Sequence, residues 1–262
     1  MIPVVPRPAA TVMLVRDRAP GLEVFMLRRS LGAVFVAGAH VFPGGKVDEA
    51  DRSDPDLDRV CVGLDDGEAS RRLGVDRGGL AYWIAAIREC FEEAGVLLAR
   101  DGGGEHPRFV DPSVVDRFVD HRRSVHRGDR RLVEVCGEEG LVLTADDLQY
   151  ASHWITPEGG PRRFDTRFFV ARAPDDQEPL HDGSETVASR WLRPDVALAE
   201  HAQGRFELIT PTIHSLMMLA HFDRADDVMA AAAAATATGG APDLVRVGTV
   251  EDGGWRIRLP GD

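Results

Sequence analysis

Lysine is nearly missing from this 262-residue chain: arginine supplies all of the 31 basic side chains but one, Lys46. Basic charge is also in deficit, with 31 Lys and Arg against 43 Asp and Glu, a net charge of −12. That sign is wrong for gripping nucleic-acid phosphates through a basic face, so nucleic acid is not an expected partner. Cysteine is scarce. Cys61, Cys90 and Cys136 are too few and too scattered for a disulfide framework, no two stand at metal-ligand spacing, and a reducing compartment is expected. Long hydrophobic runs are absent as well: the opening MIPVVPRPAATVMLVRD holds three prolines and no continuous apolar core. It fits neither a signal peptide nor a membrane span, so a cytoplasmic location without a membrane partner follows as the expectation. What is there, 44% apolar and 28% charged residues, excludes a disordered chain and suffices for one sizeable core. An acidic protein that takes an anionic substrate needs something other than its net charge to attract it, and a bound divalent cation supplies that.

Residues 10–16 and 22–28 are short apolar, β-branched runs separated by DRAPG, which predicts a hairpin. The segment 32–45 is glycine-rich and ends in Pro43-Gly44-Gly45, a loop whose backbone can approach a ligand closely. Residues 48–79, dominated by Asp, Arg and Gly, read as a solvent-facing insertion. From Leu80 to Val96 apolar residues recur at three- and four-residue spacing, and Gly95 gives the stop of a helix. Residues 112–150 read as helical with Arg-rich faces; 166–172 and 186–192 alternate like strands. Helical patterns return at 194–203 and 211–230, the latter with an apolar stripe of Ile213, Leu216, Met217, Ala220 and Met229 that suits core packing. The end of the chain reads as a hairpin. The organisation expected is a single domain over 1–262 with an insertion at 52–80, a helical insert at 100–150, and C-terminal helices and a hairpin over 194–262.

The chemistry-bearing segment is Arg88-Glu89-Cys90-Phe91-Glu92-Glu93-Ala94-Gly95-Val96. At about 100° per residue the three glutamates share one arc of the helix, away from its apolar stripe. They also crowd the C-terminal turns, where the helix dipole disfavours each carboxylate by roughly 0.3–1 kcal/mol. Clustered like charges at that end invite a cation, and oxygen-only donors point to a hard ion, Mg²⁺ or Mn²⁺, of the kind that also binds substrate phosphates.

This segment resembles the second half of the Nudix box, G-x5-E-x7-R-E-U-x-E-E-x-G-U, at every specified position. The first half is displaced: Pro43-Gly44-Gly45-Lys46-Val47-Asp48 is similar to the family's glycine loop, and Asp51 stands where the family has Glu. Asp51 precedes Arg88 by 37 positions, so about 29 residues are inserted within the box. A contiguous alignment from Gly74 puts Leu80 at the Glu position, where it cannot accept a hydrogen bond from Arg88. The split box resembles the branch that contains the peroxisomal coenzyme A diphosphatase, Nudix motif 19. Trp154-Ile155-Thr156-Pro157, Arg162 to Phe169, and Pro211-Thr212 add to that similarity. Leu27, Arg29, Ser30, Gly38 and Phe42 to Gly45 match half of a coenzyme A pyrophosphatase signature, with Val34 where it has Arg.

The resemblance implies an α+β fold, an α/β/α sandwich with a mixed central sheet, a helical insertion and C-terminal helices. It implies hydrolysis of a nucleoside diphosphate linked to another moiety, coenzyme A or acyl-coenzyme A first, with ADP-ribose, NADH or nucleotide sugars as alternatives. A non-catalytic nucleotide-sensing module is the alternative of another class. The Gly45 carbonyl, Glu89, Glu92 and Glu93 would hold Mg²⁺ or Mn²⁺, and Glu92 and Glu93 act in catalysis. Arg88 would orient the glycine loop through Asp51. The general base is either a box glutamate or Glu185 on a later loop; Arg29, Arg163 and Arg167 are candidate phosphate contacts. His40 and His214 read as structural or surface histidines rather than ligands. The partner expected is a small nucleotide-diphosphate substrate, and the helical insert and terminal hairpin are candidate surfaces for a homodimer.

Overall fold

The computed structural model describes residues 4–32, 36–53, 57–159, 162–237, 246–248 and 256–258. The hairpin forms as expected from strands longer than their apolar cores, β1 (Arg7–Arg18) and β2 (Gly21–Arg29), antiparallel with Val15 opposite Val24. Two short strands follow, β3 (His40–Val41) on β2 and β4 (Gly44–Lys46) on β1. The region read as a solvent-facing insertion is folded instead: α1 (Glu49–Ser53), α2 (Leu57–Val60), β5 (Cys61–Val62) and α3 (Asp66–Leu73) bury Leu57, Val60, Ala69 and Leu73.

The expected helix is α4 (Leu80–Ala94), closed by Gly95 in the left-handed region at φ 72°. Its start has no cap of its own, and α3 provides one. Asp66 accepts the N–H groups of Gly78 and Leu80, each at 3.0 Å, and Ser70 Oγ accepts that of Gly79 at 2.9 Å. These are donors that a helix N-terminus otherwise leaves unsatisfied. A side chain at residue 79 would meet the Ser70 nitrogen at 2.3 Å, so the close approach requires glycine.

After β6 (Ala99–Arg100) come α5 (Pro112–His126) and α6 (Leu132–Glu139), but the helical reading of 112–150 runs too far. Residues 142–144 form β7 and 148–155 form β8 (Leu148–Ile155), whose register slips between Tyr150 and Ser152. Such a bulge breaks the two-residue alternation by which a strand is recognised. β9 (Phe164–Arg172) and β10 (Thr186–Leu192) match their predicted strands. Beyond α7 (Pro194–Ala202), the single helix read over 211–230 is two, α8 (Thr210–Leu219) and α9 (Ala225–Thr236). Asp17 receives the Ala225 N–H at 2.7 Å and fixes the second start; Met217, placed in the stripe, is 49% exposed. The C-terminal pair β11 (Arg246–Gly248) and β12 (Arg256–Arg258) is antiparallel.

Among the described residues the main sheet runs β10-β2-β1-β9-β8-β11-β12, with β3 and β4 attached and β1 parallel to β9. β5, β7 and β6 make a small second sheet. Strand alternation in β1 sends Val12 and Leu14 to a core shared with α4 and α6, and Met13 and Val15 to a core shared with α8 and α9. The result is the expected mixed sheet between helical layers. Trp83, Ile87 and Phe91 anchor α4, each large apolar side chain contributing about 1.5–3 kcal/mol on burial. No helix among the described residues is long and apolar enough to cross a membrane.

Candidate active site

The glycine loop and the glutamate helix, far apart in sequence, meet because β4 pairs with β1 and α4 packs across it. Gly44 donates its N–H to Glu93 Oε2 at 2.9 Å. A Cβ on Gly45 would lie 2.4 Å from Glu89 Oε1, so any larger residue there would displace the Glu89 carboxylate. Gly74, the start of the contiguous alignment, instead caps α3 at φ 67°.

Arg88 ties the two halves of the split motif together. Its Nε and Nη2 meet the two Asp51 oxygens at 3.0 Å each, and Nη2 also donates to the Lys46 carbonyl at 2.8 Å. Its Nη1 reaches Glu89 Oε1 and Glu92 Oε1, each at 2.9 Å. Burial disfavours the charged guanidinium, but Glu89, Asp51 and Glu92 outweigh it and raise the Arg88 pKa. Asp51 itself is 2% exposed.

The glutamates do share one arc, but not a solvated one: Glu92 and Glu93 are buried at 9% and 4% exposure. Burial raises the Glu89 pKa, opposed by Arg88 and reinforced by Glu92. Burial also drives Glu93 well above the usual carboxylate range; Glu89 adds to the rise while the Gly44 N–H and Arg29 resist it. Arg29 lies 3.9 Å from Glu93 Oε1 and 3.6 Å from Glu185 Oε2, joining the box to the loop before β10. Four carboxylates, Asp51, Glu89, Glu92 and Glu93, thus face two guanidinium groups. A desolvated, negatively charged set of oxygen donors packed against the backbone of β4 fits a hard divalent cation.

These groups line a cavity of about 1000 Å³ that Trp154, Phe164, Phe168, Ile209 and Ile213 also border. Gly45, Glu89, Glu92, Glu93, Arg88, Arg29 and Glu185 all border it. Arg163 and Arg167 do not. Along β9, Phe164 and Phe168 face the cavity, whereas Arg163 donates to the carbonyls of Thr156 and Val4 at 2.9 and 2.8 Å. Arg167, 5% exposed, lies 5.7 Å from the Tyr82 ring. The strand was legible in the sequence, but not which of its faces borders the cavity. Arg162 borders the cavity in their place. His40 stacks on Phe206 at 3.5 Å and His214 lies 5.6 Å from Trp154, structural positions both. Val34 lies outside the described residues.

Sequence reasoning found the helical segment of α5 but missed what it brings to the site. His126 borders the cavity with Nδ1 3.7 Å from Glu92 Oε2, and Arg122, one turn earlier, donates to the Glu92 carbonyl at 2.9 Å. Nothing local in the sequence places this helix against α4; the contact is purely tertiary.

Residues 74–219 match the family described as the NUDT19 Nudix domain. The chain is 30% identical over 267 aligned residues to the acyl-coenzyme A diphosphatase NUDT19 of Gallus gallus, covering 85% of this chain and 70% of that protein. For the Homo sapiens protein of the same name the identity is 29% over 238 residues, covering 80% of this chain and 64% of that one. Among solved structures, a Nudix hydrolase from Alicyclobacillus acidocaldarius aligns with a TM-score of 0.71 at 29% identity, over 87% of this chain and 96% of its own. Split glycine loop, glutamate helix and these likenesses agree, and the chain belongs to the Nudix hydrolase family, in the group of the NUDT19 Nudix domain.

Proposed function

We propose that this protein is a metal-dependent diphosphatase that cleaves coenzyme A or an acyl-coenzyme A, using Mg²⁺ or Mn²⁺. The observation that carries the proposal is that one cavity is lined both by the buried carboxylates and by aromatic and aliphatic side chains. A substrate with a diphosphate in its middle and apolar or planar groups at its ends matches it. The names of the chicken and human relatives point the same way.

In this reading the Gly45 carbonyl, Glu89, Glu92 and Glu93 hold the cation. When bound, the ion neutralises the diphosphate and lowers the pKa of water at phosphorus. Arg88 holds Glu89, Glu92 and Asp51 in register and keeps the glycine loop over the glutamate helix. Arg29, between Glu93 and Glu185, is placed to meet a phosphate oxygen, while Arg163 and Arg167 have no such role. Glu185, exposed at the cavity border, is the carboxylate available to take a proton from the attacking water. Positioning and charge neutralisation supply most of the acceleration in phosphoryl chemistry, so no protein nucleophile is needed. Three scattered, buried cysteines suit a reducing cytoplasmic compartment.

The test is product analysis after incubation with Mg²⁺ or Mn²⁺ and a panel of coenzyme A, an acyl-coenzyme A, NADH, ADP-ribose and a nucleotide sugar. Release of 3′,5′-ADP with 4′-phosphopantetheine or its acyl form is the expected result. Turnover of the other compounds with coenzyme A and its acyl forms left intact would refute the substrate assignment.

A further inference from the structure

His126 faces the box with a ring nitrogen, Nδ1, for which no donor stands among the described residues. Its Nε2 lies 3.5 Å from Ser184 Oγ, and that hydroxyl lies 2.6 Å from Asp182 Oδ1. Burial opposes the Asp182 charge, but bonds from Ser184 and Thr186 prevail and keep its pKa low, so the carboxylate only accepts. The serine proton therefore goes to Asp182, leaving Oγ as an acceptor for Nε2–H. In the neutral imidazole, Nδ1 is then a bare lone pair. It stands 3.7 Å from Glu92 Oε2, another acceptor, while Glu92 Oε1 is already held by Arg88. Two acceptors facing each other at this distance match two ligands of one ion: bonds of about 2.0–2.2 Å to nitrogen and oxygen put neighbouring ligand atoms about 3–4 Å apart.

The placement of the ring is built into the fold. Phe118 and Val125 bury α5 in the core, and Arg122, one turn before His126, binds the Glu92 carbonyl and the Leu180 carbonyl, each at 2.9 Å. The histidine is thereby fixed relative to the glutamate it faces.

We propose that His126 Nδ1 is a metal ligand, a nitrogen that the helical insert adds beside Glu92 to an otherwise all-oxygen site. An imidazole ligand favours a first-row transition ion over Mg²⁺, so this chain discriminates between the two where carboxylates alone would do so weakly. The inference rests on the proposed carboxylate metal site and deepens it.

Pulsed electron paramagnetic resonance of the full chain loaded with one equivalent of Mn²⁺ tests this directly. The wild type is expected to show ¹⁴N modulation from a coordinated imidazole, and His126→Ala and His126→Gln to lose it. In both variants calorimetric Mn²⁺ affinity falls about tenfold or more, and Mg²⁺ affinity changes by less than about threefold. His121, which lies near Glu138 and Glu139, has its ring nitrogens engaged by Glu139 and Arg130, and the variants separate any signal arising there. Bound Mn²⁺ without nitrogen modulation in the wild type, or modulation that survives in the variants, overturns the ligand assignment and leaves the carboxylate site standing. Failure of the wild type to bind Mn²⁺ or Mg²⁺ at all overturns both. If neither variant folds, ¹⁴N modulation that persists in His121→Gln supports the assignment, and its loss there overturns it.

Discussion

Arg88 and Asp51 meet through two hydrogen bonds of 3.0 Å although 37 positions of chain separate them, and the contact joins the halves of a divided motif. Asp51 is otherwise tied to its own turn through the Asp48 N–H at 2.7 Å. Removing the carboxylate leaves Arg88 buried with one partner fewer, a loss of about 3–5 kcal/mol for a buried ion pair. Asp51→Ala is therefore expected to lower the unfolding free energy by that amount, read as a lower urea midpoint at unchanged slope. A loss below about 1 kcal/mol would mean that Glu89 and Glu92 alone hold the guanidinium.

The insertion acts as the cap of the glutamate helix. Asp66 serves two N–H groups at the start of α4 and Ser70 serves a third, the last of them buried. Asp66→Ala should cost about 0.5–2 kcal/mol, and Ser70→Ala about 1–3 kcal/mol through the unsatisfied donor it leaves. Urea titration checks both. Deleting the cap should also raise amide exchange in the first turn of α4 and not in its last.

Some of this was legible in the sequence because it is local. The periodicity of α4 and the crowding of Glu89, Glu92 and Glu93 are properties of one helix, and the split motif pointed to Asp51. Other features depend on what lies across a gap. The strand pattern over 166–172 did not show that Arg167, and Arg163 just before the strand, turn from the cavity. The bulge between Tyr150 and Ser152 hid β8 by breaking the alternation. α1 and α2, five and four residues long, are too short to display a helical period, so their buried Asp51, Leu57 and Val60 read as loop. His126 reaches the site only through the packing of α5 on α4.

His40 gives the fold a pH dependence away from the site. Burial pushes its pKa down to about 4, with the Glu207 backbone contact opposing. The unfolded chain takes up a proton near pH 6.5, the folded one only near 4, so the stability that neutral His40 supports is present above pH 6.5 and declines as pH falls toward 4. His40→Gln has no such titration. Urea midpoints measured at pH 7 and pH 5 should drop more in the wild type than in the variant, and equal drops would assign the acid sensitivity elsewhere.

Glu93 shows the opposite sign and connects stability to catalysis. Burial, with Glu89 adding, raises its folded pKa above the ordinary 4.5, so the protonated form is favoured in the folded metal-free protein. The stability this contributes is fully present below the unfolded pKa and is lost as pH rises through the folded one. Glu93→Gln mimics the protonated form and can still accept the Gly44 N–H. In the presence of a chelator its melting temperature is therefore expected to exceed that of the wild type at pH 8, with the gap closing toward pH 5. Adding Mn²⁺ or Mg²⁺ should raise the wild-type melting temperature and move the variant far less, because a neutral amide is a poor ligand for a hard ion. Turnover should fall at least about 100-fold, the scale of several kcal/mol of lost transition-state charge stabilisation. A more stable metal-free variant with almost no turnover would identify Glu93 as a residue whose charge the fold tolerates only for the cation, whereas equal turnover in the two proteins would remove it from the site.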